Sequence, residues 1–118
     1  MTGSAFSLSA LYSGSAFNVT QGEPVIGGLR GASRHYFCPN CMSWLFTRME
    51  GMEHLVNVRS VMLDEVDPAP PYIETQTADK LPWVLTGAAH SFERFPPSEV
   101  FGGLIAEFAR AGRDRTAS

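Results

Sequence analysis

The sequence is poor in residues that bind metals or act as nucleophiles, with two cysteines and three histidines among 118 residues. It contains no phosphate-binding glycine loop and no G-x-S-x-G motif, which argues against P-loop and α/β-hydrolase chemistry. The net charge is −3 and there is no basic run, so we expect no nucleic-acid partner. No apolar stretch approaches the roughly 20 residues of a membrane span, and the start does not resemble a secretory signal. We therefore expect a cytoplasmic protein with reduced thiols and no membrane partner.

What is present indicates a small β protein. Hydrophobic residues make up 44% and charged residues 18% of the chain, which are ordinary values for a globular domain. Eleven glycines and eight prolines favour many short strands and turns. One helix is predicted over about residues 98–110, because Pro97 and Ser98 precede apolar residues that recur at helical spacing. The predicted fold class is mainly β, with small antiparallel sheets and one C-terminal helix.

The two cysteines are only three positions apart. Cys38 and Cys41 flank a Pro-Asn turn, with strand-like residues 34–37 before them and 43–49 after them. This pattern predicts a β-hairpin whose tip carries both sulfurs, the shape of half a structural zinc site. Three interpretations remain open: a zinc site, a disulfide or redox pair, and two inert thiols.

A structural zinc site needs four protein ligands, and the hairpin offers two. His35 is a candidate third ligand, although a lone histidine on an aromatic strand is more often a packed, hydrogen-bonded residue. His54 and His90 have no metal-ligand spacing to the cysteines. The acidic residues between positions 64 and 71 are separated by prolines and are predicted to form a solvated loop. Trp83 is predicted to pack in the core.

Several segments together resemble one known family. In order along the chain they are T-G-S-A-F-S at residues 2–7, G-E-P at 22–24, H-Y-F-C-P-N-C at 35–41, and Trp83. Their order and spacing resemble the glutathione-dependent formaldehyde-activating enzyme family over residues 2 to about 95. The resemblance implies a β-tent fold and a carbon–sulfur lyase that condenses glutathione with formaldehyde to S-hydroxymethylglutathione. It also implies two zinc ions: a structural one held by an early C-x-C pair and a later C-x-x-C pair, and a catalytic one held by a C-x-C-x-x-C run.

Few of the family's functional residues can be carried over to this chain. The resemblance assigns Cys38 and Cys41 to the later pair of the structural zinc site. Thr2 follows the position where the catalytic run would end, so both that run and the early C-x-C pair are absent. We therefore expect no catalytic residue in this chain, half a structural zinc site, no catalytic zinc, and an inactive, N-terminally truncated family member. Met42 stands where the family usually has glycine, a change that costs about 1–2 kcal/mol if the position is left-handed.

The resemblance also predicts the domain organisation and two functional alternatives. Residues 1–96 are expected to form a zinc-binding β-tent domain that lacks its N-terminal strands, and residues 97–118 a helix with a frayed tail. The first alternative is a lyase for small thiol and aldehyde substrates whose N-terminal ligands are missing. The second is a degenerate, non-catalytic member that acts as a binding or interaction module.

The expected absence of N-terminal strands leads to a prediction about assembly. An unpaired sheet edge and exposed apolar residues, drawn from Phe6, Leu8, Phe17 and Val19, favour pairing with a second copy. A two-fold homodimer is the commonest such arrangement. The rival prediction is a monomer in which the C-terminal helix covers the same apolar residues.

Overall fold

The computed structural model describes residues 4–28 and 31–117, with residues 112–117 described by their backbone alone. It confirms the predicted fold class, mainly β with a C-terminal helix. The chain divides into two compact units, Met1–Pro68 and Ala69–Ser118. The strands are β1 (Ser9–Ser13), β2 (Val25–Gly27), β3 (Ser33–Phe37), β4 (Trp44–Met49), β5 (Leu55–Arg59), β6 (Ile73–Glu74) and β7 (His90–Ser91), and the helix is α1 (Ser98–Ala117).

The first unit is built on one antiparallel sheet of five strands, in the order β1-β5-β4-β3-β2. The register places Tyr36 opposite Phe46, and Phe46 opposite Val58. Facing residues on neighbouring strands share one side of a sheet, so these three side chains form a row across its centre. Val56 lies two residues before Val58, on the same side of the sheet, and is fully buried. The cluster of Phe46, Val56 and Val58 therefore lies on one side of the sheet, with Tyr36 beside it.

Residues 16–20 depart from the sequence-based prediction. Their alternating Phe17 and Val19 indicate a strand, but the structure has a single 3-10 turn at Gly14–Ala16 followed by irregular backbone. Phe17 instead packs on Phe46, with 4.8 Å between the ring centroids. The alternation thus reflects a segment lying over the sheet, not a strand paired within it.

Gly14 is required by a close backbone approach. Its N–H donates to the His54 carbonyl at 2.8 Å, and a Cβ on this residue would lie only 2.5 Å from the Glu53 carbonyl oxygen. A side chain here would push apart the two segments that precede and follow the β1–β5 pairing.

The second unit holds a two-stranded sheet and α1. β6 and β7 pair in parallel, whereas antiparallel sheets were predicted throughout. The reason is the connection: parallel strands need a crossover of a dozen or more residues, and residues 75–89 provide it, including a 3-10 turn at Thr77–Asp79. Helix α1 begins at the predicted residue but continues past Arg110 to Ala117.

A carboxylate ties this crossover to both strands. Glu74 accepts hydrogen bonds from the Thr86 hydroxyl at 2.5 Å and the Ser91 hydroxyl at 2.7 Å. The bond from Thr86, and after it the bond from Ser91, hold the pKa of the Glu74 carboxyl below its usual value.

None of the helices in the described parts of the chain combines the length and apolar character needed to cross a membrane.

Candidate functional site

The predicted cysteine hairpin is present and its tip is closely hydrogen-bonded. β3 ends at Phe37 and β4 begins at Trp44, so Cys38 and Cys41 both lie in the connecting turn. The Cys38 N–H donates to the Ser43 carbonyl at 2.9 Å, and the Met42 N–H donates to the Cys38 carbonyl at 2.8 Å. These bonds close the turn on itself, so both thiols are carried by one small, ordered backbone loop.

The two thiols have different surroundings. Both are free; Cys38 is half-buried and Cys41 is exposed. The Cys41 sulfur lies 3.2 Å from the Ser43 hydroxyl oxygen. Hydrogen bonds from the Ser43 side chain, then the Ser43 backbone and the Cys38 side chain, lower the pKa of the Cys41 thiol. Because thiolates, not thiols, bind metals and attack electrophiles, the lowered pKa and the exposure of Cys41 suit it to either role.

Met42, directly after the second thiol, adopts a left-handed backbone conformation. Its φ of 60° lies in the region where only glycine is free of a steric cost from its Cβ. The turn therefore does need the conformation that glycine favours, and this chain places a long side chain there. That side chain is 57% exposed, so little packing offsets the backbone strain.

Met42→Gly should raise the free energy of unfolding by about 1 kcal/mol, the order of the left-handed penalty it removes less the flexibility that glycine adds to the unfolded chain. Urea unfolding followed by circular dichroism measures the change. Met52→Gly is the matched control, since Met52 is not among the positive-φ residues, and it should not stabilise. Equal effects of the two substitutions would contradict the strain at Met42.

The histidines do not complete a metal site. His35 Nδ1 lies 2.8 Å from the Thr47 hydroxyl oxygen, and burial lowers the pKa of the His35 imidazole. His90 Nε2 lies 3.3 Å from Glu107 Oε1 in the second unit. Within residues 4–28 and 31–111, no group of three or more His, Cys, Asp or Glu side chains is arranged to hold a metal ion. The described residues therefore offer the two hairpin thiols and no third ligand beside them, and the assignment of Cys38 and Cys41 as metal ligands stays a prediction.

Beside the hairpin the structure shows a cluster that the sequence analysis missed. The Trp44 indole N–H donates to Thr47 Oγ1 at 3.1 Å, the oxygen that His35 also contacts, and the Arg59 guanidinium lies 4.5 Å from the Trp44 ring centroid. His35 also meets Trp44 edge-on, with 5.2 Å between the ring centroids. The only sequence signal for this cluster was the concentration of aromatic residues around the cysteines.

The prediction for Trp83 is wrong. Its side chain is 71% exposed, whereas Val84 is only 5% exposed. Trp83 lies in a turn that the Val84 N–H closes by donating to the Leu81 carbonyl at 3.1 Å, and this turn leaves the Trp83 side chain in solvent while Val84 is buried.

Comparison with known proteins supports the resemblance drawn from the motifs. The family model described as glutathione-dependent formaldehyde-activating enzyme matches residues 1–79, which include the whole cysteine hairpin. No curated protein matches the chain.

Proposed function

The chain belongs to the glutathione-dependent formaldehyde-activating enzyme family, and on that premise we propose that it derives from a zinc-dependent carbon–sulfur lyase of small thiols and aldehydes. In the family reaction the thiol sulfur bonds to the carbonyl carbon, and the proton from sulfur ends on the carbonyl oxygen. Glutathione and formaldehyde then give S-hydroxymethylglutathione. We further propose that the 118-residue chain does not catalyse this reaction by itself.

The geometry of the hairpin supports the first part of the proposal. Two thiols on one hydrogen-bonded turn, with the pKa of Cys41 lowered by Ser43, suit a soft divalent metal such as zinc. The role we propose for Cys38 and Cys41 is structural: they would hold zinc and fix the tip of the hairpin. The family is commonly zinc-associated, and zinc in its catalytic site supplies Lewis-acid activation of a bound thiol or carbonyl.

The ligand count supports the second part. Two thiols meet half of a four-ligand requirement, and no further thiol exists in the printed sequence. His35 Nδ1 contacts the Thr47 hydroxyl, and among the described residues His35 forms no three-membered ligand group with the two cysteines. The residues of this chain therefore fit a half site at the hairpin and do not fit a catalytic zinc centre.

An alternative function follows from the same shortage of ligands. A family member without catalytic zinc would act as a non-catalytic binding or interaction module that keeps the fold and the hairpin. A cytoplasmic location and a homodimer through the edges of the five-stranded sheet stay predictions in either case. Phe6 and Val19, two of the apolar residues named for such an interface, are 54% and 46% exposed.

The chain should not accelerate the condensation of formaldehyde with glutathione above the uncatalysed rate. Exchange NMR on the methylene protons of the hemithioacetal measures that rate at equilibrium. The Cys38→Ser, Cys41→Ser double variant is the matched control and should give the same rate as the wild type. Faster exchange with the wild type alone would show that this chain is an enzyme and that the hairpin thiols carry its activity. Faster exchange with both proteins would contradict the proposal that the chain is inactive. It would also show that the hairpin thiols do not take part in the reaction.

A titration with glutathione tests the alternative, the non-catalytic binding module. Glutathione added without formaldehyde should shift backbone amide signals of a binding module in a saturable way, without turnover. If no signal shifts, glutathione is not a ligand of this chain and the binding-module alternative fails for glutathione. Unaccelerated exchange by itself is the result that the proposed inactivity predicts.

A further inference from the structure

The guanidinium of Arg59 packs on an aromatic side chain. Arg59 ends β5, and its guanidinium lies over the face of Trp44 at 4.5 Å from the ring centroid. Trp44 is fixed in turn by the hydrogen bond from its indole N–H to Thr47, which is itself buried. Phe37 is stacked against Trp44, with 6.4 Å between the ring centroids. The guanidinium therefore rests on an aromatic ring that is itself held in place by a hydrogen bond and a stacking contact.

Among the side chains that the structure describes, in residues 4–28 and 31–111, no carboxylate lies within ion-pair distance of Arg59. Its Nη1 is buried without a hydrogen-bond partner. Burial lowers the pKa of Arg59, although a guanidinium remains protonated at neutral pH. Buried polar groups in folded proteins are normally paired, and an unpaired one calls for a bound water, ion or ligand.

We propose that Arg59, held over Trp44, is a binding site for the carboxylate group of a small molecule. Nη1 itself is covered, but the residue as a whole is only half-buried, so a ligand from solvent would approach the other N–H groups of the guanidinium. This site goes beyond the proposed function, because it requires neither zinc nor turnover.

The shape of the site favours a carboxylate over phosphate. A guanidinium presents its N–H groups in a planar fork that matches the two oxygens of a carboxylate. Phosphate carries a larger charge and more acceptor oxygens, and Trp44 offers no free donor for them because its indole N–H is already bonded to Thr47.

The test is a titration with succinate at constant ionic strength, followed by ¹H–¹⁵N NMR of the two indole N–H groups. Trp44 should show a saturable shift, whereas Trp83, exposed in the second unit, serves as the internal reference and should not. Succinamide, a neutral molecule of similar shape, should leave both signals in place. Arg59→Met should weaken succinate binding by roughly tenfold or more, because hydrogen bonds to charged groups are the strong ones. Arg59→Lys keeps the charge without the fork and should weaken binding several-fold.

Arg48→Met is the matched control. Arg48 also lies over aromatic rings, at 5.5 Å from Phe17 and 5.7 Å from Phe46, and its loss should leave succinate binding unchanged. The site is refuted if Trp44 does not respond, if it responds to succinamide as strongly as to succinate, or if the Arg48 and Arg59 variants bind alike. Tighter binding of phosphate than of succinate would overturn the carboxylate assignment.

Discussion

Phe46→Ala should lower the free energy of unfolding of the first unit by about 3–5 kcal/mol, the usual cost of deleting a buried aromatic ring. Phe46 is 5% exposed and forms the core cluster with Val56 and Val58. It stacks on Tyr36 at 4.7 Å between the ring centroids and also contacts Phe17. The substitution therefore leaves a cavity at the one place where three strands and the overlying segment meet. Since whole domains are stable by only about 5–15 kcal/mol, this single change is expected to bring the unit close to unfolding.

Chemical denaturation of the full chain, followed by near-ultraviolet circular dichroism, measures this loss. Phe6→Ala is the matched control, because Phe6 is 54% exposed, and it should change the free energy of unfolding by less than about 1 kcal/mol. If the two substitutions cost the same, the core is not centred on Phe46 and the described packing of the first unit is wrong.

Zinc should bind the chain weakly, with a dissociation constant on the order of 1–100 μM. Complete structural sites in small zinc domains bind with about 10–16 kcal/mol, and two of four ligands supply roughly half of that, which corresponds to micromolar binding. The prediction is thus an affinity several orders of magnitude below that of a complete site. Calorimetric titration under a phosphine reductant, which keeps both thiols reduced, measures it. Dialysis against a chelator should then leave no zinc on the protein.

Substitutions at the hairpin identify the ligands. Cys38→Ser and Cys41→Ser should each abolish measurable zinc binding. His35→Ala should leave it unchanged, because among the described residues no group of three His, Cys, Asp or Glu side chains is arranged to hold a metal ion. Stoichiometric zinc that survives the chelator would contradict the half site. A loss of binding in His35→Ala would instead make His35 a third ligand.

Much of the fold and half of the candidate site could be predicted from the sequence because the signals are local. A C-x-x-C turn between two alternating segments specifies a hairpin within sixteen residues, and the structure places β3 and β4 as predicted. The start of α1 is equally local, since it depends on Pro97 and the apolar residues within the next three turns. The family resemblance predicted strain at Met42 if that position is left-handed, and its φ of 60° shows that it is.

What the sequence could not decide depends on contacts between distant residues. Residues 16–20 alternate like a strand, but Phe17 finds its partner in Phe46 above the sheet. His35 reaches Thr47 only because the β3–β4 register sets those two residues opposite each other. Arg59 reaches Trp44 because β5 lies beside β4, and nothing in either local sequence signals the pairing. Periodicity tells which residues share a side of a strand, whereas strand order and register, set by packing of the whole core, decide which of those residues meet.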